Sequence, residues 1–500
     1  MNLEDKIKKL YDYNKRLHVF NAISALTDWD RATGGPKGGI QIKQEIFSYL
    51  SGEEYNLLTS NEFGELLKSL EIQKEELNQK DRRLFDLTKR EAENVRSIPK
   101  NEYTEYSSFI AESQEVWEEA KENNDYLMFA PYLKKIIEYN KKFAGYRQKN
   151  NMPLYDVLLD DYEEGMTMKD YDKFFETLRK DLVPLIHKIL EKGKKTPISW
   201  DGEIFDTAKQ EELSEEILKI IGFNFDNGMF KASAHPFTTG FDNKDIRLTT
   251  RYDEKDLAMS LFSTMHEGGH AIYEQQIADE YRFSMLGGGV SSGIHESQSR
   301  TFENEYGKSR EFLRFCLPKL KQKFEFLKDV DEEYFYRAYN QAIPSAIRIE
   351  ADELTYPLHI MIRYELEKEM MNKDIDINTL NIKWREKYKE YLGIDIENDS
   401  EGILQDVHWA AGLIGYFPTY ALGSAYASQF TEILKKEIDL NKFLENGEFK
   451  PILKWHKENI HSYGSLKTPK ELLKDVTLED LNPKYYVDYL INKFSKIYDL

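Results

Sequence analysis

The segment Met265-His266-Glu267-Gly268-Gly269-His270-Ala271 carries the residues best suited to chemistry. His266 and His270 stand at i and i+4, so on a helix they project from one face about one turn apart. That spacing lets two imidazoles converge on one zinc ion. Glu267 follows by one residue and falls beside the ion but outside its ligand set, where a carboxylate can take a proton from zinc-bound water. Leu257, Leu261, Phe262 and Met265 upstream, with Ile272 and Ile277 downstream, supply the apolar stripe of a helix around the motif. The alternative is an ordinary helix with two incidental histidines. Against it, Gly268 and Gly269 each cost a helix interior about 1 kcal/mol relative to Ala. The sequence shows no packing reason for them; room for a substrate would be one reason to keep both small.

A catalytic zinc site needs a third protein ligand and an open fourth position. The best source lies after Gly287-Gly288-Gly289-Val290-Ser291-Ser292-Gly293, a run that reads as a mobile loop. Ile294-His295-Glu296-Ser297-Gln298-Ser299-Arg300-Thr301-Phe302 then reads as the start of a second helix, with Glu296 at 296 − 270 = 26 residues beyond His270. A helix, a loop and the first turn of a packed partner helix would return Glu296 to the metal. His295 points about 100° away from Glu296 on such a helix, which suits a supporting or structural role better than ligation. The histidines at 18, 187, 359, 456 and 461 carry no motif and read as surface or packing residues.

These residues must be positioned by a chain of 500, in which 69 Lys+Arg against 89 Asp+Glu give a net charge of −20. Hydrophobic residues make up 40% and aromatics 13%, with 32 Tyr and 28 Phe, so the chain can bury a large core and is not a disordered composition. The acidic surplus repels phosphate backbones and excludes nucleic acid as a partner. No apolar run reaches the roughly 18 residues of a membrane span, and the charged N-terminus lacks a signal-peptide core. The single cysteine, Cys316 in Phe315-Cys316-Leu317, cannot form an internal disulfide and is expected to be a buried small hydrophobe. A soluble, cytoplasmic protein is the expectation.

Leu3, Ile7, Leu10, Leu17, Phe20, Ile23 and Leu26 predict an opening helix with these side chains on one face. Thr33-Gly34-Gly35-Pro36-Lys37-Gly38-Gly39 stops it, and charge-rich helical patterning resumes to about residue 150. Trp117-Glu118-Glu119-Ala120-Lys121-Glu122 reads as a solvated helix face. After the turn Glu164-Gly165-Met166-Thr167, a long helix is predicted from about Asp170 to Glu191, capped by Thr167 or Asp170. Strand signals are sparse and clearest at Asp245-Ile246-Arg247-Leu248-Thr249-Thr250-Arg251-Tyr252, where Ile246, Leu248 and Thr250 alternate with polar neighbours. With no repeat and no linker, the expectation is a single domain spanning 1–500: a large, mainly α helical body with one small β-sheet.

His266-Glu267-Gly268-Gly269-His270 followed by His295-Glu296-Ser297-Gln298 resembles the zinc metallocarboxypeptidases of the carboxypeptidase Taq family. Further segments agree: Asp245-Ile246-Arg247-Leu248-Thr249 (Asp-x-Arg-x-Thr), Ile347-Arg348-Ile349-Glu350-Ala351-Asp352 (Ile-Arg-x-x-Ala-Asp), Gly402-Ile403-Leu404-Gln405-Asp406-Val407-His408-Trp409 (Gly-x-x-Gln-Asp-x-His-Trp) and Gly415-Tyr416-Phe417-Pro418-Thr419-Tyr420. With Trp29-Asp30 the matches run from residue 29 to 420. The family usually continues Trp-Asp toward Met-Pro-x-Gly-Gly, whereas here Gly35 precedes Pro36-Lys37-Gly38-Gly39; likewise Glu164 stands where Pro is common before Gly165. Both departures lie away from the expected ligands.

The resemblance implies zinc bound by His266, His270 and Glu296, with Glu267 as general base and later proton donor to the leaving amine. It also implies a deep active-site groove beside the zinc site and a homodimer. Imidazole and carboxylate ligands also admit Co2+, Mn2+ or another divalent ion. Tyr420 and His408 are the expected oxyanion donors, each with a core-packing alternative. Peptide substrates with a free C-terminal carboxylate call for an arginine, for which bidentate pairing is the best geometry. Arg348 is the first choice, its alternative being a salt bridge to Glu350 or Asp352; Arg247 on the predicted strand is the second. His235, in Ser233-Ala234-His235-Pro236, is placed as a cleft-lining residue. The competing readings are a dipeptidase or internally cutting oligopeptidase of related fold, and a catalytically silent peptide-binding scaffold, the last disfavoured by Glu267.

Overall fold

The opening helix runs over Leu3–Thr33, with Asn2 capping its N-terminus by accepting from the Asp5 amide at 2.8 Å. Its apolar stripe is shorter than the spacing suggested. Leu10 and Leu17 are buried, but Ile23 and Leu26 stand 41% and 46% exposed. At 100° per residue, the three successive three-residue steps from Leu17 to Leu26 turn the stripe by half a revolution, so one face cannot hold all seven side chains. The computed structural model describes residues 1–500 apart from the side chain of Lys37.

Helices make up 70% of the chain, and the mainly α expectation holds. The patterned stretch to about residue 150 forms helices Ile40–Thr59, Asn61–Glu71, Gln79–Arg96, Lys100–Glu122 and Tyr126–Arg147. In Lys100–Glu122, Trp117 and Ala120 are buried while Glu118 and Glu119 face solvent, as expected of a solvated charge run. The helix predicted from Asp170 spans Met168–Lys192, and both proposed caps act: Thr167 and Asp170 form a reciprocal capping box. Cys316 is fully buried, and burial raises its thiol pKa above the ordinary range.

Three strands form the one sheet: β1 (Gly228–Ala232), β2 (Thr238–Asp242) and β3 (Asp245–Thr250), in the order β1-β3-β2. β3 pairs parallel with β1 and antiparallel with β2. Ile246, Leu248 and Thr250 on β3 are buried, and this central strand packs against the helix Leu257–Gln276 that carries the histidine motif.

By contacts the chain divides into two compact units, each assembled from three separated stretches. The first comprises 1–96, 198–336 and 430–480; the second comprises 97–197, 337–429 and 481–500. In the first unit, one apolar cluster joins Leu10, Leu17, Leu70, Leu84 and Phe85 from the N-terminal helices to Ile277, Tyr281 and Leu286 from beyond the motif helix. No helix among the described residues is long and apolar enough to cross a membrane.

Candidate metal centre

The motif helix Leu257–Gln276 is capped by Asp256, whose carboxylate accepts from the Ala258 amide at 2.9 Å. On it the His266 and His270 rings lie 5.0 Å apart. The helix Ser292–Arg300 is capped by Ser291, which accepts from the Ile294 amide at 3.1 Å. It brings Glu296 Oε2 to 3.8 Å from His266 Nε2 and 3.5 Å from His270 Nε2. Tetrahedral zinc with bonds near 2.1 Å sets neighbouring ligand atoms about 3.4 Å apart, so this triad fits such an ion with small adjustments. Among the described residues it is the only such histidine and carboxylate cluster.

Electrostatics treat the three groups differently: burial opposes protonation of His266, but Glu296 and Glu303 beside it raise its pKa above the ordinary histidine value. Burial and the neighbouring His295 push His270 down to about 3, leaving a neutral imidazole with a free lone pair. Burial opposes ionisation of Glu296, but Arg300 and His266 beside it hold its carboxyl well below the usual range. Arg300 Nε donates to Glu296 Oε1 at 2.7 Å, leaving Oε2 toward the histidines. His266 is backed by Glu303, with Nδ1 2.9 Å from Oε2, and Glu303 is itself held by Lys308 and Arg300. Glu303 lies in a π-helical turn, Thr301–Gly307, that continues the ligand helix.

Glu267 is 7% exposed and accepts from the Thr238 hydroxyl at 2.6 Å, so β2 fixes the carboxylate of the expected base. Burial raises its pKa above the ordinary glutamate value, with His266 and Thr238 opposing.

The two glycines of the motif do have a packing reason. A Cβ on Gly269 would stand 2.7 Å from the Gln298 carbonyl oxygen and 2.9 Å from Ser299 Cα, so the motif and ligand helices approach at backbone distance. Gly268 instead abuts the side chains of Ile221 and Leu218. Helix contact, rather than space for substrate, accounts for both.

Arg247 and His235 belong to the same unit. Arg247 pairs bidentately with Asp245 (2.8 Å for each bond), and its guanidinium lies over the Trp29 and Phe241 rings. The Asp-x-Arg motif and Trp29 are thus parts of one packed cluster. His235 is exposed in the turn between β1 and β2.

Arg348, His408 and Tyr420 lie in the second unit. Arg348 is 6% exposed and donates through Nε and Nη2 to Asp406 Oδ1 at 3.0 and 2.8 Å. Its partner is therefore neither Glu350 nor Asp352; Asp352 instead accepts from the Leu354 and Thr355 amides. Arg363, fully buried, donates to the other oxygen of Asp406 at 2.7 Å. Burial opposes ionisation of Asp406, but the two guanidiniums hold its carboxyl far below its ordinary value. His408 Nε2 is 3.2 Å from the Tyr420 hydroxyl, and burial, opposed by Asp406, pushes His408 to about 4, so it is neutral at pH 7. Trp409 Nε1, the Gly415 amide and the Tyr155 hydroxyl all donate to buried Glu367, which pins the segment between His408 and Tyr420 at Trp409 and Gly415.

Sequence reasoning missed Thr238, Glu303, Glu274 and Glu367. Glu274, whose Oε1 lies 2.8 Å from His295 Nε2, carried a signal, standing at i+4 from His270 and i+8 from His266 on one helix face. Thr238 and Glu367 carried none, because nothing local marks a side chain that meets its partner across the fold.

The profile of the carboxypeptidase Taq (M32) metallopeptidases matches residues 9–494. Carboxypeptidase 1 of Bacillus subtilis is 41% identical over 500 residues, covering 100% of both chains. Thermostable carboxypeptidase 1 of Pyrococcus furiosus is 38% identical over 495 residues, 98% of each. Among solved structures, the Pyrococcus furiosus carboxypeptidase superposes with a TM-score of 0.94 at 37% identity, covering 99% of each chain. The M32 carboxypeptidase of Deinococcus radiodurans gives 0.95 at 32%, covering 99% of this chain and 100% of that one. With its metal-ligand cluster in place and its whole length matched, the chain is a peptide hydrolase and belongs to the carboxypeptidase Taq (M32) family of metallocarboxypeptidases.

Proposed function

We propose that this protein is a zinc-dependent carboxypeptidase releasing single amino acids from the C-terminus of peptides, with residues 1–500 acting as one catalytic domain. The observation that carries the reading is the His266, His270 and Glu296 triad, its carboxylate buried and its imidazoles half-buried, with Glu267 one residue from the first ligand. A divalent ion held by that triad would supply Lewis-acid polarisation of the scissile carbonyl and of water. Glu267, oriented by Thr238, takes the proton of the attacking water and returns it to the leaving amine. Tyr420 and His408 are assigned as donors to the developing oxyanion; the hydroxyl of Tyr420, 3.2 Å from a neutral imidazole, has a proton to offer.

Arg348 is assigned to the substrate carboxylate. Supporting this, Arg348 and Arg363 share a single carboxylate, Asp406, so the trio holds one positive charge more than negative in a buried setting. An incoming α-carboxylate would neutralise that excess. Arg247, already paired with Asp245, is assigned to structure before substrate, and exposed His235 to the rim. Zinc is the first choice for a His2Glu site, with cobalt or manganese as substitutes. The homodimeric state and cytoplasmic location implied by the resemblance complete the reading; sedimentation at the 58.9 kDa monomer mass would remove the first.

The test is hydrolysis of N-blocked dipeptides with free and with amidated C-termini by protein of measured zinc content. Cleavage should require the free carboxylate. Equal cleavage of the amide sinks the exopeptidase assignment, and release of dipeptides from longer substrates replaces it with a dipeptidase.

A further inference from the structure

The two histidine ligands are backed by different chemistry. His266 meets a carboxylate directly, whereas His270 Nδ1 lies 2.6 Å from the Nδ1 of another imidazole, His295, whose Nε2 lies 2.8 Å from Glu274 Oε1. We propose that His295 and Glu274 form a two-bond positioning relay that holds His270 in its metal-binding tautomer and orientation. The inference rests on the metallopeptidase reading of the triad.

The direction of the relay follows from donor and acceptor counting. His270 Nε2 faces Glu296 and the metal position, so it must keep its lone pair and carry its proton on Nδ1. That N–H points at His295 Nδ1, which must then accept. His295 has one proton left, on Nε2, and donates it to Glu274. An ionised carboxylate can only accept, so Glu274 fixes the polarity of the whole chain. With the polarity reversed, His295 would donate from Nδ1, His270 would carry its proton on Nε2, and the ligand would be lost.

A second observation concerns the packing around the relay. A Cβ on Gly289 would stand 2.6 Å from His295 Cδ2 and 2.9 Å from Tyr273 Cε1, so the glycine run read as a mobile loop is pressed against the imidazole. The Gly289 amide donates to Glu274 Oε1 at 3.2 Å, and the Val290 amide donates to the Tyr273 hydroxyl at 3.0 Å. Glycine is needed there because its backbone must reach the ring and carboxylate of the relay. Each member also neighbours a ligand in the chain: Glu274 sits one turn beyond His270, and His295 immediately precedes Glu296.

The experiment uses the zinc-loaded full-length protein and its Glu274→Ala, Glu274→Gln, His295→Ala and Tyr273→Phe variants, each checked for folding by circular dichroism. First-order zinc release into excess chelator is followed with a colorimetric indicator, and cobalt-substituted samples give visible spectra. Release should quicken about 10- to 100-fold in Glu274→Ala and His295→Ala, the range for loss of outer-shell partners, and less in Glu274→Gln, which keeps an acceptor oxygen. Tyr273→Phe, which removes the hydroxyl's bond to the Val290 amide but keeps the ring 5.3 Å from that of His295, should release zinc at the wild-type rate. Cobalt bands should shift in His295→Ala. Release within twofold of wild type in folded Glu274→Ala, or equal acceleration in Tyr273→Phe, overturns the relay. Wild-type protein that holds metal but cleaves no peptide overturns the carboxypeptidase reading and leaves the relay standing; wild-type protein that holds no metal overturns both.

Discussion

Gly268 and Gly269 are neighbours in one helix, and replacing each with alanine should have opposite outcomes. At Gly269 the new Cβ meets backbone, 2.7 Å from the Gln298 oxygen, where ordinary contact begins at 3.4 Å, so the ligand helix must retreat by 3.4 − 2.7 = 0.7 Å. Passed on to Glu296, that retreat lengthens its 3.5 Å approach to His270 to 3.5 + 0.7 = 4.2 Å, against the roughly 3.4 Å that a tetrahedral ion requires. Overpacking of this kind costs about 1–3 kcal/mol, only partly offset by the ~1 kcal/mol that alanine gains over glycine in a helix. The net is up to about 2 kcal/mol (3 − 1), which, carried by the metal-bound state, is up to about a 30-fold weaker affinity. At Gly268 the Cβ meets the flexible ends of Ile221 and Leu218, which can turn aside, so Gly268→Ala should be neutral or slightly stabilising. Chelator-competition titration and thermal unfolding of both variants check the pair. If Gly269→Ala matches Gly268→Ala in metal affinity and melting temperature, the backbone contact does not set the ligand geometry.

Glu267→Gln should retain stoichiometric metal while kcat falls about 10²- to 10⁴-fold, read by steady-state kinetics alongside elemental analysis. Asp406→Asn leaves two buried guanidiniums without their shared counter-charge and should cost about 3–5 kcal/mol in denaturant unfolding; a loss below 1 kcal/mol would show that the pairs are not essential. Burial pushes Glu367 up to about 7, with Tyr155 and Trp409 opposing, so the folded state binds this proton more tightly than the unfolded chain. Its contribution to stability is then present in full below the ordinary glutamate range and is lost as pH rises through about 7. Wild type should lose more stability between pH 5 and 8 than Glu367→Gln; equal slopes would refute the shift.

The clustering of the proposed ligands was legible because helical spacing is local: His266 and His270 fix their own relative geometry, and the Gly287–Gly293 run marks the turn that returns Glu296. The strand predicted over 245–252 was legible for the same reason, its alternation being local, though it ends at Thr250, two residues early. The opening helix was misread where a chain of three-residue steps looked periodic while drifting around the helix. What the sequence left hidden is contact between distant stretches. Asp406 joins Arg348 and Arg363, Thr238 meets Glu267, and Gly269 touches Gln298 only once the backbone is folded. Glycine in a helix signalled that something approached closely, but its neighbour could not be named from spacing.

The interleaving of the two units bears on how the protein is made. Leu10, Leu17, Leu70 and Phe85 are complete as a sequence once residue 96 has been synthesised, yet their core includes Ile277, Tyr281 and Leu286. At about 5–20 residues per second, the 277 − 96 = 181 intervening residues take roughly 10–40 s to emerge. Over that interval the nascent N-terminal helices present an unfinished apolar face, which waits for the segment that follows the motif helix. A fragment ending at 96 should therefore aggregate, and the metal helices expressed alone should lack their platform. Neither unit can be obtained by cutting the chain at a boundary.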